Sequence, residues 1–196
     1  LSTGMNSIET IIPAVSILEK KEIPYALLHC TNVYPTPAHL VRLGALAELE
    51  HHFPKAVIGL SDHSLSNHAC LGAAALGASI LERHFTDRPD RKGPDINCSM
   101  TPEALDDLIS GSKIMKEMRG GGKGRLLEEE VTAEFAFSSV CTVQAVKKGE
   151  SFSSQNIWLK RPAGGDFSAI DYQAILGKVS SRNIEIDEQL KQSDII

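Results

Sequence analysis

The chain has 196 residues, of which 42% are hydrophobic and 23% are charged, and its formal net charge is −5. This composition is typical of a globular protein and is sufficient for one medium-sized domain or two small ones. The acidic balance argues against nucleic acid as a partner, and no apolar run approaches the roughly 20 residues of a membrane span.

The cysteines are spread along the chain and form no CxxC pair; they are Cys30, Cys70, Cys98 and Cys141. They stand among apolar or small residues. The chain opens on Leu1 with polar residues directly after it, which does not resemble a secretory signal. We therefore predict reduced thiols, most of them buried, and a cytoplasmic location.

The first fifty residues predict two strand–helix pairs. Residues 1–4 resemble the end of a strand, and Ser7 is placed to cap the helix that follows. Residues 25–30 predict the next buried strand, and residues 40–53 predict an amphipathic helix. The apolar face of the first helix is predicted to consist of Ile8, Ile11, Ile12, Val15 and Leu18.

Residues 56–84 repeat this pattern with polar residues at both strand ends. Residues 56–60 predict a short buried strand that leads into His63, and residues 77–82 predict a strand that leads into His84. The alanine-rich residues 66–76 predict a helix between them. Two strands joined by a helix form a right-handed unit with parallel strands.

The two histidines occupy equivalent positions after successive strands. Ligands bind at the carboxyl ends of parallel strands, because the loops there have no packing role. Neighbouring strands would therefore direct His63 and His84 into one pocket, as a two-histidine metal site with open positions for oxygen ligands. A histidine after a strand is more often an ordinary loop residue, so the pattern alone leaves a structural role open.

The strand–helix alternation predicts an α/β fold with a parallel sheet covered by helices, either open and doubly wound or closed into a barrel. Four strands, the first of them incomplete, favour the C-terminal half of a (β/α)8 TIM barrel. Thr101 and Pro102 predict the start of a last helix that runs to about Met118.

The composition changes after residue 118. The glycine-rich, charged residues 119–131 predict a linker, and residues 132–196 predict a small mostly-β domain with one short helix near residues 170–176. The linker is a poor match to a phosphate-binding loop, because no strand precedes it and no GK[ST] ends it.

Four segments carry a resemblance to a known family: YALLHCTNVYPTP, VIGLSDHS, GASILERHFTDRPDRKGPD and IWLKRPAGGDF. They are similar to motifs of the sialic acid synthase family, in particular of bacterial N-acetylneuraminate synthases. The resemblance extends over essentially the whole chain. It implies that residues 1–118 are the second half of the TIM barrel and that residues 132–196 are an antifreeze-like (SAF) domain.

The resemblance also implies an activity. Members of the family are transferases that condense phosphoenolpyruvate with N-acetylmannosamine or a related acetamido sugar and release phosphate. They use a divalent metal, in most cases Mn²⁺, with Mg²⁺ or Co²⁺ as alternatives, and they form domain-swapped homodimers. The family's catalytic glutamates and phosphate-binding lysines belong to the first half of the barrel, so we expect this fragment to be inactive alone.

Site residues follow from the same resemblance, position by position. His63 and His84 would ligate the metal, and Asp95 would complete the catalytic set beside the sugar. Arg161 would reach the N-acetyl group from the partner subunit. The residues expected to hold phosphoenolpyruvate are Ser2, Asn32 and Ser61, and those expected to line the sugar site are Tyr34, Asp95, Arg161 and Phe135.

Two alternatives stay open. A legionaminic or pseudaminic acid synthase would perform the same chemistry on a diacetamido sugar. In a different class, the chain could be a non-catalytic sugar-binding module with the half barrel as its scaffold. A binding module has no need of two histidines one strand–helix unit apart, which favours the enzyme.

Overall fold

The computed structural model describes residues 1–196, which divide into two compact units, Leu1–Gly122 and Lys123–Ile196. The point of division lies inside the predicted linker. The last residues of that stretch are helical, because a single 3₁₀ turn, Leu127–Glu129, leads directly into the helix Glu130–Ala136. None of the helices is long and apolar enough to cross a membrane.

The first unit contains a parallel sheet of three strands in the order β1-β2-β3. They are β1 (Ala26–Cys30), β2 (Val57–Asp62) and β3 (Ile80–Arg83). Ser2 adds a single parallel bridge to Leu28, at the position where the sequence predicts the end of a strand. The prediction of an α/β fold with parallel strands is confirmed for this unit.

Five α-helices connect or flank these strands: α1 (Ile8–Lys20), α2 (Ala38–Val41), α3 (Ala45–His52), α4 (His68–Ala75) and α5 (Pro102–Met118). Both helices begin where the sequence predicts, but only Thr101 caps its helix through its own side chain. The Ser7 N–H donates to Thr10 Oγ1 over 3.0 Å, and the Thr101 hydroxyl accepts from the Ala104 N–H over 3.3 Å. These bonds satisfy groups that a helix N-terminus leaves unpaired.

The predicted single helix over residues 40–53 is wrong, because the chain breaks between α2 and α3. Arg42 has a φ of 50°, outside the helical range. Neighbouring side chains use the carbonyls that a continuous helix would need. The Thr31 hydroxyl donates to the Leu40 carbonyl over 2.8 Å, and the His29 ring lies 2.8 Å from the Val41 carbonyl.

The helices pack on one face of the sheet. Leu60 of β2 belongs to a buried cluster with Cys70, Ala73 and Leu108. The small side chains of α4 let that helix approach the sheet closely, so little space remains between them. A second cluster joins α1, β1 and α3 through Ile11, Val15, Leu27, Leu49 and Phe53. Ile12, predicted on the apolar face of α1, is exposed instead.

The second unit contains one antiparallel pair, β4 (Ser139–Thr142) with β5 (Ile157–Lys160), and isolated bridges such as Val146 to Ile184. Its helical segments are α6 (Glu130–Ala136), α7 (Tyr172–Ile175) and single 3₁₀ turns at Leu127–Glu129, Ala169–Asp171 and Gln192–Asp194. A single buried cluster that includes Phe152 fills its centre. All four cysteines of the chain are free and buried.

Candidate functional site

The face of the sheet that points away from the helices carries polar side chains in rows. The register pairs Cys30 with Ser61 and Ser61 with Glu82, so these three side chains lie next to one another. The Ser61 hydroxyl donates to Glu82 Oε1 over 3.1 Å. Ser61 therefore uses its only hydrogen on a carboxylate and does not present it to the open side of the sheet.

The same register, continued by two residues, brings Asn32, His63 and His84 into the next row. The rings of His63 and His84 have their centroids 5.3 Å apart and are tilted by 41°. Two imidazoles at this separation are close enough to share one small ligand. The structure therefore brings together the two histidines on which the predicted metal site depends.

Contacts from the preceding loop orient the His63 ring. His63 is buried, and its Nδ1 lies 3.2 Å from the Thr31 carbonyl oxygen. The His63 carbonyl in turn accepts from the Thr36 N–H over 2.9 Å. Because a carbonyl oxygen can only accept, a neutral His63 carries its proton on Nδ1 and its lone pair on Nε2. A carbonyl partner of this kind is typical of metal-bound histidines.

The donor set present fits a metal that takes only two ligands from this chain. The 196 residues contain no cluster of three or more His, Cys, Asp or Glu side chains that could hold a metal ion. Two neutral imidazoles would leave the other coordination positions to water or substrate, as catalytic metal sites require.

Tyr34 covers the two histidines from the loop after β1. Its ring centroid lies 4.1 Å from that of His63 and 5.9 Å from that of His84, and the residue is 48% exposed. Burial raises the pKa of the Tyr34 hydroxyl, and the neighbouring Cys30 and Asp95 act in the same direction. The phenol thus stays protonated and can donate a hydrogen bond.

Asp95 precedes the 3₁₀ turn Ile96–Cys98, and its backbone carbonyl accepts from the Ser99 hydroxyl over 2.7 Å. The negative charge of its carboxylate is one of the causes that raise the pKa of the Tyr34 hydroxyl. The predicted sugar-side residues Tyr34 and Asp95 both belong to the first unit, and their binding role remains a prediction.

The predicted phosphoenolpyruvate residues lie on one face of the sheet but in different rows. Ser2 is paired with Leu28, one row before Ser61, and Asn32 lies one row beyond it. Asn32 Oδ1 accepts from the Cys30 thiol over 3.1 Å, which leaves the Asn32 amide group as a donor. Their binding role remains a prediction.

Gly4 is a site residue that the sequence did not single out. A Cβ atom on Gly4 would lie 1.7 Å from Asn32 Oδ1 and 3.1 Å from Cys30 Sγ. The side chain of Asn32 thus occupies the space that any other residue at position 4 would need. A glycine at the end of a predicted strand was the only signal of this contact in the sequence.

Arg161 and Phe135 belong to the second unit. Arg161 directly follows β5, Phe135 lies on α6, and both side chains are exposed. The Ala163 N–H donates to the Glu134 carbonyl over 3.3 Å, which links the turn after Arg161 to α6. The predicted sugar-binding role of both residues remains a prediction.

Comparison with known proteins gives two family matches. A model described as the NeuB family matches residues 1–124, and a model of the SAF domain matches residues 137–196. An N,N'-diacetyllegionaminic acid synthase from Campylobacter jejuni is 38% identical over 98% of this chain and 58% of its own length. A pseudaminic acid synthase from the same species is 31% identical over 99% of this chain and 56% of its own length.

A solved structure is also similar. The crystal structure of an N-acetylneuraminic acid (sialic acid) synthetase from Leptospira borgpetersenii, in complex with citrate, superposes with a TM-score of 0.63. It is 35% identical, and the match covers 68% of this chain and 47% of that one. The chain thus spans about half the length of the relatives it matches.

Proposed function

The chain belongs to the NeuB family and carries a SAF domain, and from this premise we propose that it is the C-terminal part of a nonulosonic acid synthase. The proposed reaction condenses phosphoenolpyruvate with an N-acetylated amino sugar and releases phosphate, which makes the enzyme a transferase. The observation that carries the proposal is the pair of adjacent imidazoles, His63 and His84, on a polar sheet face.

The proposed architecture of the first unit is the second half of a (β/α)8 barrel. Its support is the parallel order β1-β2-β3, the further bridge from Ser2, and helices on one face of the sheet. The polar rows would then face the barrel interior, at the strand ends where barrel enzymes hold substrates. A fragment with half of these strand ends would be inactive alone. The proposed location is the cytoplasm, in keeping with four free thiols.

His63 and His84 are the residues that would hold the divalent metal, with Mn²⁺ as the first candidate and Mg²⁺ or Co²⁺ as alternatives. When bound, it would act as a Lewis acid on the aldehyde oxygen of the sugar. The chain's own contribution is orientation. The Thr31 carbonyl favours the neutral tautomer of His63 with its proton on Nδ1, which leaves the lone pair of Nε2 for the metal.

The other polar residues suit the two organic substrates. Tyr34, protonated and partly exposed beside the imidazoles, can donate to a sugar oxygen. The Asn32 amide and the hydroxyls of Ser2 and Ser61 can donate to the phosphate or carboxylate of phosphoenolpyruvate. These neutral donors would leave the stronger charge-assisted bonds to the phosphate-binding lysines that the resemblance assigns to the first half of the barrel. Ser61 would have to exchange its bond to Glu82 for one to the substrate.

N-Acetylmannosamine is the first proposed acceptor. The diacetamido precursor of a legionaminic acid is the second, because the relative that matches 98% of this chain at 38% identity is named a diacetyllegionaminic acid synthase. Phe135 and Arg161 are proposed to approach the sugar from the partner subunit of a domain-swapped homodimer. An assay of the complete enzyme with a panel of acetamido sugars separates the two acceptors by their specificity constants.

The metal site is tested by His63→Ala and His84→Ala in the complete enzyme. Each substitution removes one of two protein ligands, so we expect Mn²⁺ affinity, measured by calorimetry, to fall by at least about 100-fold. His39→Ala is the matched control, because His39 is exposed on α2 and has no second histidine ring beside it, unlike the neighbouring pair His51 and His52. Unchanged Mn²⁺ affinity in both site variants would refute the proposed site.

A further inference from the structure

A buried ion pair lies behind the two histidines, on the helix-covered face of the sheet. Asp62 and Arg83 end β2 and β3, and the register makes them direct partners. Arg83 Nε lies 3.3 Å from Asp62 Oδ2, and both side chains are 2% exposed. Each of the two residues stands one position before a histidine. Because successive side chains of a strand alternate, the ion pair and the imidazoles lie on opposite faces of the same two strand ends.

Arg83 also donates hydrogen bonds to residues other than Asp62. Its Nη1 donates to Asn67 Oδ1 over 2.6 Å, and its Nη2 donates to the Ser64 carbonyl over 2.7 Å. Asp62 in turn accepts from the Ser64 N–H over 3.0 Å and from the Ser64 hydroxyl over 2.9 Å. The loop that follows His63 is therefore tied to the strand that precedes His84.

The network extends to a helix. Asn67 Nδ2 donates to the Ala104 carbonyl over 2.8 Å and to Asp107 Oδ2 over 2.9 Å, both on α5. One guanidinium thus connects two strand ends, one loop and, through Asn67, a long helix. Few other side chains could make these contacts, because the planar fork of arginine reaches several acceptors at once.

Stability alone is a weak reason for such a pair. Burying two charges is expensive, and apolar replacements of buried ion pairs are often neutral or stabilising. Arg83 Nε is moreover buried without a well-aligned hydrogen bond. The geometry offers a better reason, since the pair joins the ends of the two strands that lead into the imidazoles.

We infer that Asp62 and Arg83 are positioning residues that hold His63 and His84 at the spacing needed to bind one cation. They touch neither ring's open side and act only through the backbone and the loop Ser64–Asn67. This role rests on the proposed metal site. It adds the residues that hold the two histidine ligands at a distance at which both can bind the same cation.

The test measures Mn²⁺ affinity in the complete protein with Arg83→Met, which keeps the length and apolar stem of the side chain but removes the fork. Both imidazoles remain, yet we expect Mn²⁺ to bind about 10- to 100-fold more weakly, the range found for outer residues that orient metal ligands. Arg83→Lys should not restore the affinity, because an ammonium group cannot bind Asp62, Ser64 and Asn67 together. Full affinity in Arg83→Lys would overturn the role of the fork.

Two controls separate positioning from loss of stability. Leu108→Ala leaves a cavity in the neighbouring core and should lower the melting temperature of the metal-free protein without changing Mn²⁺ affinity. Arg91→Met removes an exposed ion pair with Asp87 and should change neither. If Leu108→Ala weakens Mn²⁺ binding as much as Arg83→Met does, the pair is merely structural and the inference fails.

His63→Ala distinguishes failure of the inference from failure of the proposed function. Loss of Mn²⁺ binding in His63→Ala together with full affinity in Arg83→Met would overturn the inference and leave the metal site in place. Full affinity in both variants would overturn the metal site and the inference with it. If Arg83→Met does not fold, Asn67→Ala removes one anchor of the fork, and an Mn²⁺ affinity equal to that of the unmodified protein would then count against the inference.

Discussion

The two units of the chain differ in how they use their interiors. In the second unit a single cluster encloses Phe152, Ile157 and Leu190, which are at most 1% exposed, although Trp158 on β5 stays 54% exposed. In the first unit the sheet keeps apolar residues open, with Ile80 at 39% and Val57 at 46% exposure. The second unit has a complete core of its own, whereas the first packs only one face of its sheet and leaves the other, which carries both apolar and polar residues, open.

Buried polar groups show the same contrast. In the second unit they are scattered and serve local structure; the Ser139 hydroxyl, for example, accepts from the N–H groups of Gly164 and Gly165. In the first unit four consecutive buried residues are polar, from Ser61 to Ser64. Burial of polar groups is costly, so a continuous run at a strand end indicates a site rather than a core.

The largest expected effect tests the closed core. Phe152→Ala should destabilise the second unit by about 3–5 kcal/mol, because it removes a fully buried ring and leaves a cavity. Ile80→Ala should cost only about 1 kcal/mol in this chain, since the side chain is partly exposed. Urea unfolding of the 196-residue chain measures both. Equal losses of unfolding free energy in the two variants would contradict the contrast between the closed core and the open sheet face.

Arg161→Ala tests whether the second unit contributes to chemistry. A charge-assisted hydrogen bond to the N-acetyl group contributes about 1.5–3 kcal/mol, so the specificity constant for the sugar should fall about 10- to 150-fold in the complete enzyme. The KM for phosphoenolpyruvate should change little. Lys160→Ala is the control, because Lys160 is the neighbouring cation and pairs with Asp187. A collapse of phosphoenolpyruvate binding instead would make Arg161 a phosphate ligand.

Mixed dimers of the complete enzyme test the proposed domain swap. If Arg161 serves the partner's site, combining Arg161→Ala subunits with His63→Ala subunits restores one intact site in some dimers. If each site is built within one subunit, mixing restores no activity. The measured quantity is specific activity after subunit exchange, compared with that of either variant alone.

Gly4→Ala tests the open face of the sheet, and its expected effect is smaller than that of Arg161→Ala. The added Cβ would overlap Asn32 Oδ1, so the Asn32 side chain must move, at a cost of about 1–2 kcal/mol. We expect a higher KM for phosphoenolpyruvate and an unchanged KM for the sugar. Gly44→Ala is the matched control, because a Cβ there meets nothing within 4 Å. If Gly4→Ala and Gly44→Ala both leave the KM for phosphoenolpyruvate unchanged, the prediction that Asn32 binds phosphoenolpyruvate is contradicted.

The smallest expected effect concerns the protonation of the Asp194 carboxyl in the second unit. Burial opposes the charged form of Asp194, but hydrogen bonds from Arg182 and the Lys191 N–H outweigh it and lower the pKa of the carboxyl. A lowered folded-state pKa stabilises the protein above the unfolded value of about 3.9, and this contribution disappears as the pH falls through the folded value. Asp194→Asn should make acid unfolding of this unit less dependent on pH below about 4. An unchanged acid transition would contradict this assignment.

Much of the architecture could be predicted from local signals. Alternating strand and helix patterns indicated a parallel sheet, and Ser7 and Thr101 indicated helix starts, because a helix N-terminus needs acceptors for its free N–H groups wherever it lies. The two histidines could be placed at one edge for a similar reason. Residues that follow successive parallel strands share an edge of the sheet whatever else surrounds them.

The sequence by itself therefore determined the order of elements, the change of character near residue 119 and the pairing of His63 with His84. Only the tertiary structure decided the break at Arg42, the contact of Gly4 with Asn32 and the ion pair of Asp62 with Arg83. Each of these depends on atoms from segments far apart in the chain. Periodicity and capping are properties of a few neighbouring residues. The contact of the His29 ring with the Val41 carbonyl and the contact of the Asn32 amide with Gly4 form only once the chain has folded.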